Sequence, residues 1–286
     1  MRNQKSPAIW AARILLTLLA IIILLPMVQT FLYSFSSTGE MVTFLDGRGK
    51  RDPNAWMDTH LSPEIFSLGQ YEQVLIKEGT ILHYFTNSVK YAVAILLGQT
   101  LVIPALAFGL SKFKFRGRET IFFLIVMLML LPFQVTMVPN VLTLRFLGID
   151  KTTWAVILPM IFAPFFIFLL RQYMIALPDE LLEAASIDGA GPFRSFLWIV
   201  MPVCRPVLGA AAALSFAESW NLVEQPLTYL STRIDLMPLS TQFNQLTKNA
   251  QGFEFAGAAL YILPALLIYL FFQEDILAGI QLTEMK

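Results

Sequence analysis

The sequence predicts an all-α, polytopic membrane protein with six transmembrane helices, and three observations predict it. The chain of 286 residues is 56% hydrophobic and only 14% charged, with 24 phenylalanines. A soluble domain carries about 45–50% apolar and about 25% charged residues. The apolar residues gather into six runs, each approaching the ~20 residues that span a hydrocarbon core. None of these runs alternates in the manner of a barrel strand, so helices are the expected spanning element.

The first span is expected at about Trp10–Tyr33, behind Arg2, Lys5 and Arg13. Its apolar run from Ile14 to Val28 resembles a signal peptide. No small-x-small cleavage site follows in Gln29-Thr30-Phe31-Leu32-Tyr33, so an uncleaved anchor is expected. Residues 34–82 hold Gly39, Gly47, Gly49, Pro53 and Pro63, which predict an irregular external cap with a short helix near Leu68–Ile76. The second span is expected at about Phe85–Leu110. Lys112, Lys114, Arg116 and Arg118 crowd the loop behind it, which the positive-inside rule places in the cytoplasm. The remaining spans are expected at about Ile121–Val141, Trp154–Met174, Val203–Val223 and Phe255–Phe272. This count puts both termini and the loop from Arg171 to Arg205 inside, with residues 1–286 forming one transmembrane domain. Pro26, Pro104, Pro132, Pro159, Pro164 and Pro264 fall inside or near spans, where they kink helices for packing or around a central path.

Composition also excludes functions. A net charge of zero leaves no basic surplus for nucleic acid. The single Cys204 cannot form an internal disulfide, and with two histidines no metal cluster is expected. Cys204 reads as a small packing residue, His83 as a surface residue, and Phe162, Phe165, Phe166 and Phe168 as packing and lipid contact. No Ser/His/Asp set, paired catalytic carboxylates or G-x-x-x-x-G-K-[ST] loop is present. The chain is therefore not expected to be an enzyme, to hydrolyse ATP or to bind a cofactor itself.

The loop between the fourth and fifth spans carries the densest pattern. Pro178, Asp179 and Glu180 suit a helix start, since acidic side chains favour the positive end of the helix dipole. Glu183-Ala184-Ala185 follows, acidic and then unencumbered by bulk, and Gly189 can take the left-handed conformation that ends a helix. Pro192 can open a second short helix, Phe193–Val200, with Pro202 closing it. Two short helices at an angle form a knob suited to a groove on a partner.

The spacing of Glu183, Ala184, Ala185, Asp188, Gly189, Ile199 and Pro202 resembles the signature loop of permease subunits in binding-protein-dependent ABC importers. Met201 stands where Leu is usual. Asn87-Ser88, Phe113-Lys114-Phe115-Arg116-Gly117-Arg118, Leu131-Pro132-Phe133-Gln134-Val135-Thr136, Leu169-Leu170-Arg171-Gln172 and Ser219-Trp220-Asn221 are similar to the carbohydrate-uptake branch, specifically the shorter, six-span subunit of maltose-type importers. The resemblance implies a type I permease fold with a cytoplasmic coupling-helix loop at 177–202. It also implies residence in a bacterial or archaeal cytoplasmic membrane. The implied partners are a second homologous permease, a dimer of ATPases that use ATP and Mg, and an extracytoplasmic sugar-binding protein that delivers a carbohydrate. The chain departs from the family at Lys90, at Glu218, at Leu222 in place of Asp, at Glu224-Gln225 and at Glu274-Asp275. These departures bear on the substrate.

Within span five, Glu218, Asn221 and Gln225 are spaced by three and four, placing them on one helix face flanked by Trp220 and Glu224. Ionisable groups inside a span usually face a cavity or partner. Amides and carboxylates suit sugar hydroxyls and an indole suits a sugar's C–H face, so these residues form a candidate substrate path. A wet helix end or subunit interface is the other reading. Lys90 can snorkel outward or pair with Glu218. Two other functions stay open on these residues: a secondary transporter using Glu218 or Lys90 to couple to an ion gradient, and a non-transporting scaffold.

Overall fold

The structure, a computed structural model, describes residues 7–49, 62–77, 79–242 and 252–284. Among the described residues it is helical, with one isolated antiparallel bridge between Ser36 and Phe66. Four helical stretches are long and apolar enough to cross a membrane: Ile9–Tyr33, Gly79–Lys112, Thr153–Ile175 and Glu254–Asp275. Two bent helix pairs, Arg118–Leu130 with Phe133–Phe146 and Pro192–Val203 with Arg205–Trp220, raise the number to as many as six. The chain divides into two compact units, residues 1–83 with 243–263 and residues 84–242 with 264–286.

The first unit contains α1 (Pro7–Tyr33), α2 (Thr38–Gly49) and α3 (Gly69–Glu72), which continues as a wide turn over Gln73–Lys77. The short helix expected near Leu68–Ile76 is present, but α2 lies where an irregular cap was expected. Ser37-Thr38-Gly39-Glu40 is a capping-box sequence, and the Glu40 N–H donates to Ser37 Oγ at 3.2 Å. That cap outweighs the glycines that suggested a loop. Gln70 is fully buried and organises the unit. Its Nε2 donates to the carbonyls of Tyr33 at 2.6 Å and Ser36 at 3.0 Å, and its Oε1 accepts the Ala256 N–H at 3.2 Å. The apolar side chains of α1 from Ile14 to Leu25 are exposed, as suits a helix in lipid.

The second unit contains most of α4 (Gly79–Lys112), then α5 (Arg118–Leu130), α6 (Phe133–Phe146), α7 (Thr153–Ile161) and α8 (Pro164–Ile175). The third span is not the uninterrupted helix expected over Ile121–Val141: α5 and α6 meet at 110°. Leu131 is extended (φ −76°, ψ 127°) because the following proline ring disfavours the helical region for it. Pro164 likewise separates α7 from α8 after an extended Ala163. Pro26, Pro104, Pro159 and Pro264 are carried inside helices. The sixth span, α14 (Glu254–Glu284), continues beyond Phe272, since no proline follows.

Two apolar clusters hold this unit. One packs Ile103, Phe108, Phe166, Leu170, Val207 and the buried Cys204, and the other Tyr91, Ile95, Val156, Leu222 and Tyr229. Polar ties cross between them and the loops. Gln99 donates to the Met160 carbonyl at 2.7 Å and accepts from Ser215 Oγ. Asn87 donates to the carbonyls of Asp235 and Met237, Tyr91 to that of Leu236, and Ser88 Oγ accepts from the Leu239 N–H. Asn87-Ser88 thus fixes the segment that follows the fifth span.

Candidate functional site

The loop at 177–203 folds as two short helices. The first, α9 (Glu180–Ile187), begins at Asp179 and carries Glu180 and Glu183 in its first turn. Its end is a Schellman motif: the Ala190 N–H donates to Ala185 O at 2.9 Å and the Gly189 N–H to Ser186 O at 3.1 Å. Gly189 sits at φ +81°, the left-handed region expected for it, where a Cβ is disfavoured. Ala185 is buried at 7% exposure, whereas Glu183, Ala184 and Asp188 are exposed. The same loop carries Ile187 at 87% and Phe193 at 73% exposure.

The second helix opens at Pro192 as α10 (Pro192–Ser195), widens to a π turn over Phe196–Val200 and ends as α11 (Met201–Val203). Pro202 does not close it as expected. The wide turn absorbs the N–H that Pro202 lacks, and the 77° bend falls at Cys204, before α12 (Arg205–Trp220). Ile199 is half-buried and Pro202 exposed.

Two basic side chains hold this end of the bundle, Lys112 tying α4 to the loop and Arg171 tying α8 to α4 and α5, and sequence named both without assigning either a partner. Lys112, the last residue of α4, donates to Leu177 O at 2.7 Å and to Asp179 Oδ1 at 2.6 Å. Its hydrogen bond and charge hold the Asp179 carboxyl below the usual carboxylate range. Arg171, 5% exposed near the end of α8, donates from Nε to Leu110 O at 3.0 Å and from one terminal nitrogen to both Glu119 oxygens at 2.9 Å. Its guanidinium lies 3.7 Å from the centre of the Phe122 ring. The only signal available was opposite charge at the same end of the bundle, Lys112 and Arg171 facing Asp179 and Glu119.

Residues 90–274 match the family described as the inner membrane component of binding-protein-dependent transport systems. This chain belongs to that family. The arabinooligosaccharides transport system permease protein AraQ of Halalkalibacterium halodurans is 28% identical to this permease over 293 residues, covering 100% of both chains. The diacetylchitobiose uptake system permease protein NgcG of Streptomyces coelicolor is 30% identical over 278 residues, 93% of this permease and 85% of the relative. A chain from a bacterial ABC transporter involved in the import of the acidic polysaccharide alginate shares the fold, with a TM-score of 0.79 at 21% identity over 96% and 99% of the two chains. The permease is thus a multi-pass membrane subunit of an ABC importer with the type I fold.

The expected polar face of span five is arranged differently in the permease. Helix α12 ends at Trp220, and Asn221 turns its side-chain amide back to Ala217 O at 2.9 Å. Gln225, half-buried, belongs to the separate α13 (Glu224–Tyr229), so Glu218, Asn221 and Gln225 do not share one continuous helix. Trp220 is 1% exposed between Phe85 and Phe216 rings, so its indole offers no face to a sugar in this conformation. Glu218 and Asn221 are exposed. Beyond the break in span three, Gln134 donates to Glu224 Oε1 at 3.2 Å.

Proposed function

We propose that this permease forms one transmembrane domain over residues 1–286 and admits a neutral oligosaccharide delivered by an extracytoplasmic sugar-binding protein. It pairs with a second, homologous permease, while a dimer of ATPase subunits that bind ATP and Mg docks on the loop at 177–202. Both termini and that loop face the cytoplasm. The relatives named for arabinooligosaccharides and diacetylchitobiose support a carbohydrate cargo, and the basic run Lys112–Arg118 supports the orientation.

The observation that carries the coupling reading is the Schellman-closed helix α9. It carries Glu183, Ala184 and Ile187 exposed on one short helix, with Phe193 exposed on the next. A short rigid helix with an acidic start and an apolar end suits a groove with a basic rim, and moves as a body when that groove closes. Glu183→Lys replaces attraction by repulsion, and Gly189→Val forces a β-branched residue into positive φ. Both variants should insert normally and lose co-purifying ATPase subunits. Full association and uptake in both would remove the reading.

For the substrate path, Glu218 and Asn221 remain the candidates, with Gln225 on the helix that follows. A carboxylate there disfavours an anionic sugar by Coulomb repulsion that low dielectric strengthens. Asn221→Ala and Glu218→Ala should lower uptake without changing the affinity of the binding protein, because capture precedes entry into the membrane. Unchanged rate and preference in both would move the path elsewhere, to the partner permease.

A further inference from the structure

Asp179 stands at the N-cap of α9, a position where aspartate normally accepts from its own helix. It makes no such cap. Its carboxylate is turned outward to Lys112 Nζ at 2.6 Å, and the same ammonium holds Leu177 O at 2.7 Å. The Leu177 carbonyl lies past the end of α8 and ahead of Pro178, where no helical N–H continues to serve it. The Lys112 side chain is 7% exposed although it ends a helix at the basic loop, whereas that of Asp179 is 75% exposed. A buried ammonium at such a place is unusual unless paired. One cation therefore satisfies an orphan carbonyl at the root of the coupling loop and overrides the local preference for capping.

We propose that Lys112 is a positioning residue that makes α9 and α4 move as one body, so that a push on α9 reaches the second span instead of being absorbed at Pro178. The proposal rests on the coupling reading of the 177–202 loop. Leu177, Leu182 and Phe196 of the loop also pack against the cluster that holds Phe108 and Leu110 of α4, but such apolar contact is non-directional and leaves a proline-hinged loop free to take up displacement in its backbone dihedrals. A tie at hydrogen-bond distance from its root to the end of a 34-residue helix removes that freedom. Lys112 is the only basic residue of its run for which the structure shows a bond to this loop among the described residues.

The test uses the importer complex reconstituted with its ATPase subunits, in a Cys204→Ser background, with spin labels at Leu97→Cys on α4 and Glu180→Cys on α9. Distances are read without nucleotide and after trapping with ATP and vanadate. In the parent, the distance should be narrow and the same in both states. Lys112→Met should lose that constancy and broaden the distribution, while ATPase subunits still co-purify and hydrolyse ATP. Lys112→Arg should restore the parent behaviour, and Asp179→Asn, which leaves the Leu177 bond, should broaden it less. If Lys112→Met does not insert, Lys112→Gln carries the same test with the same expectation. A Lys112→Met distance as narrow and nucleotide-independent as the parent's overturns the proposal, and so does loss of the ATPase subunits, which would make Lys112 an assembly residue. The coupling reading fails separately, when Glu183→Lys keeps its ATPase subunits whatever the α4–α9 distance does.

Discussion

Replacing Arg171 by methionine removes a buried cation while keeping length and apolar bulk, and its cost can be worked from the contacts. The Nε bond to Leu110 O, at 3.0 Å and buried, is charge-assisted and contributes about 1.5–3 kcal/mol. The guanidinium over Phe122 adds about 0.5–2 kcal/mol. The bonds to Glu119 add little, because that carboxylate is 63% exposed and water screens the pair. Methionine also avoids the desolvation that burying a guanidinium requires, which brings the net loss to about 2–4 kcal/mol. Arg171→Lys keeps the charge but has no planar fork, so it cannot reach Leu110 and Glu119 together while lying over the ring. It should lose about half as much. Thermal unfolding of the detergent-solubilised permease should show a fall of roughly 5–10 °C for Arg171→Met. It should show an intermediate fall for Arg171→Lys, with little dependence on salt. A methionine variant that melts with the parent, or a lysine variant that is the more damaged, would refute the assignment of this joint to the buried Leu110 bond.

Gly209 is a second packing test: a Cβ there would stand 2.5 Å from an Asp275 carboxylate oxygen. Gly209→Val should cost about 1–3 kcal/mol in thermal unfolding, and the pair Gly209→Ala with Asp275→Ala should be milder than Gly209→Ala alone. Gly189→Val should reduce ATPase association more than Gly189→Asn, because asparagine tolerates positive φ, and pull-down yields read the difference. Asp179 has a carboxyl pKa held down by Lys112, so its contribution is present above the ordinary aspartate value of about 3.9 and lost only as pH falls through the lower folded value. The α4–α9 distance distribution should therefore stay narrow from about pH 5 to 8 and broaden only in stronger acid. For orientation, a membrane-impermeant maleimide should label Ser62→Cys in intact cells and spare Gly117→Cys, and the reverse would overturn the topology.

The spans were legible because length and apolar composition are properties of a segment by itself. So was the end of α9, since Gly189 after an alanine pair has few other conformations to offer. What failed to read depended on neighbours. A proline within an apolar run is compatible with a kink or a break, and only the extended Leu131 decided for a 110° turn. Helix α2 hid behind its glycines although Ser37 caps its first turn at the Glu40 N–H. The polar face of span five assumed a helix continuing past Trp220, and the burial of that indole depends on Phe85, a residue from another helix. The ties from Lys112 and Arg171 join residues 61 to 67 positions apart or 52 apart, pairings that no local pattern announces.

The central claim, that the Glu183–Pro202 loop is the surface through which ATPase subunits drive this permease, is tested most directly by photo-crosslinking in the assembled importer. A photoreactive residue at Ile187, 87% exposed beside the Schellman turn, is compared with one at Phe146, 90% exposed at the end of α6. The account predicts an adduct between Ile187 and an ATPase subunit, and none from Phe146. No adduct from Ile187, or equal adducts from both positions, would contradict it.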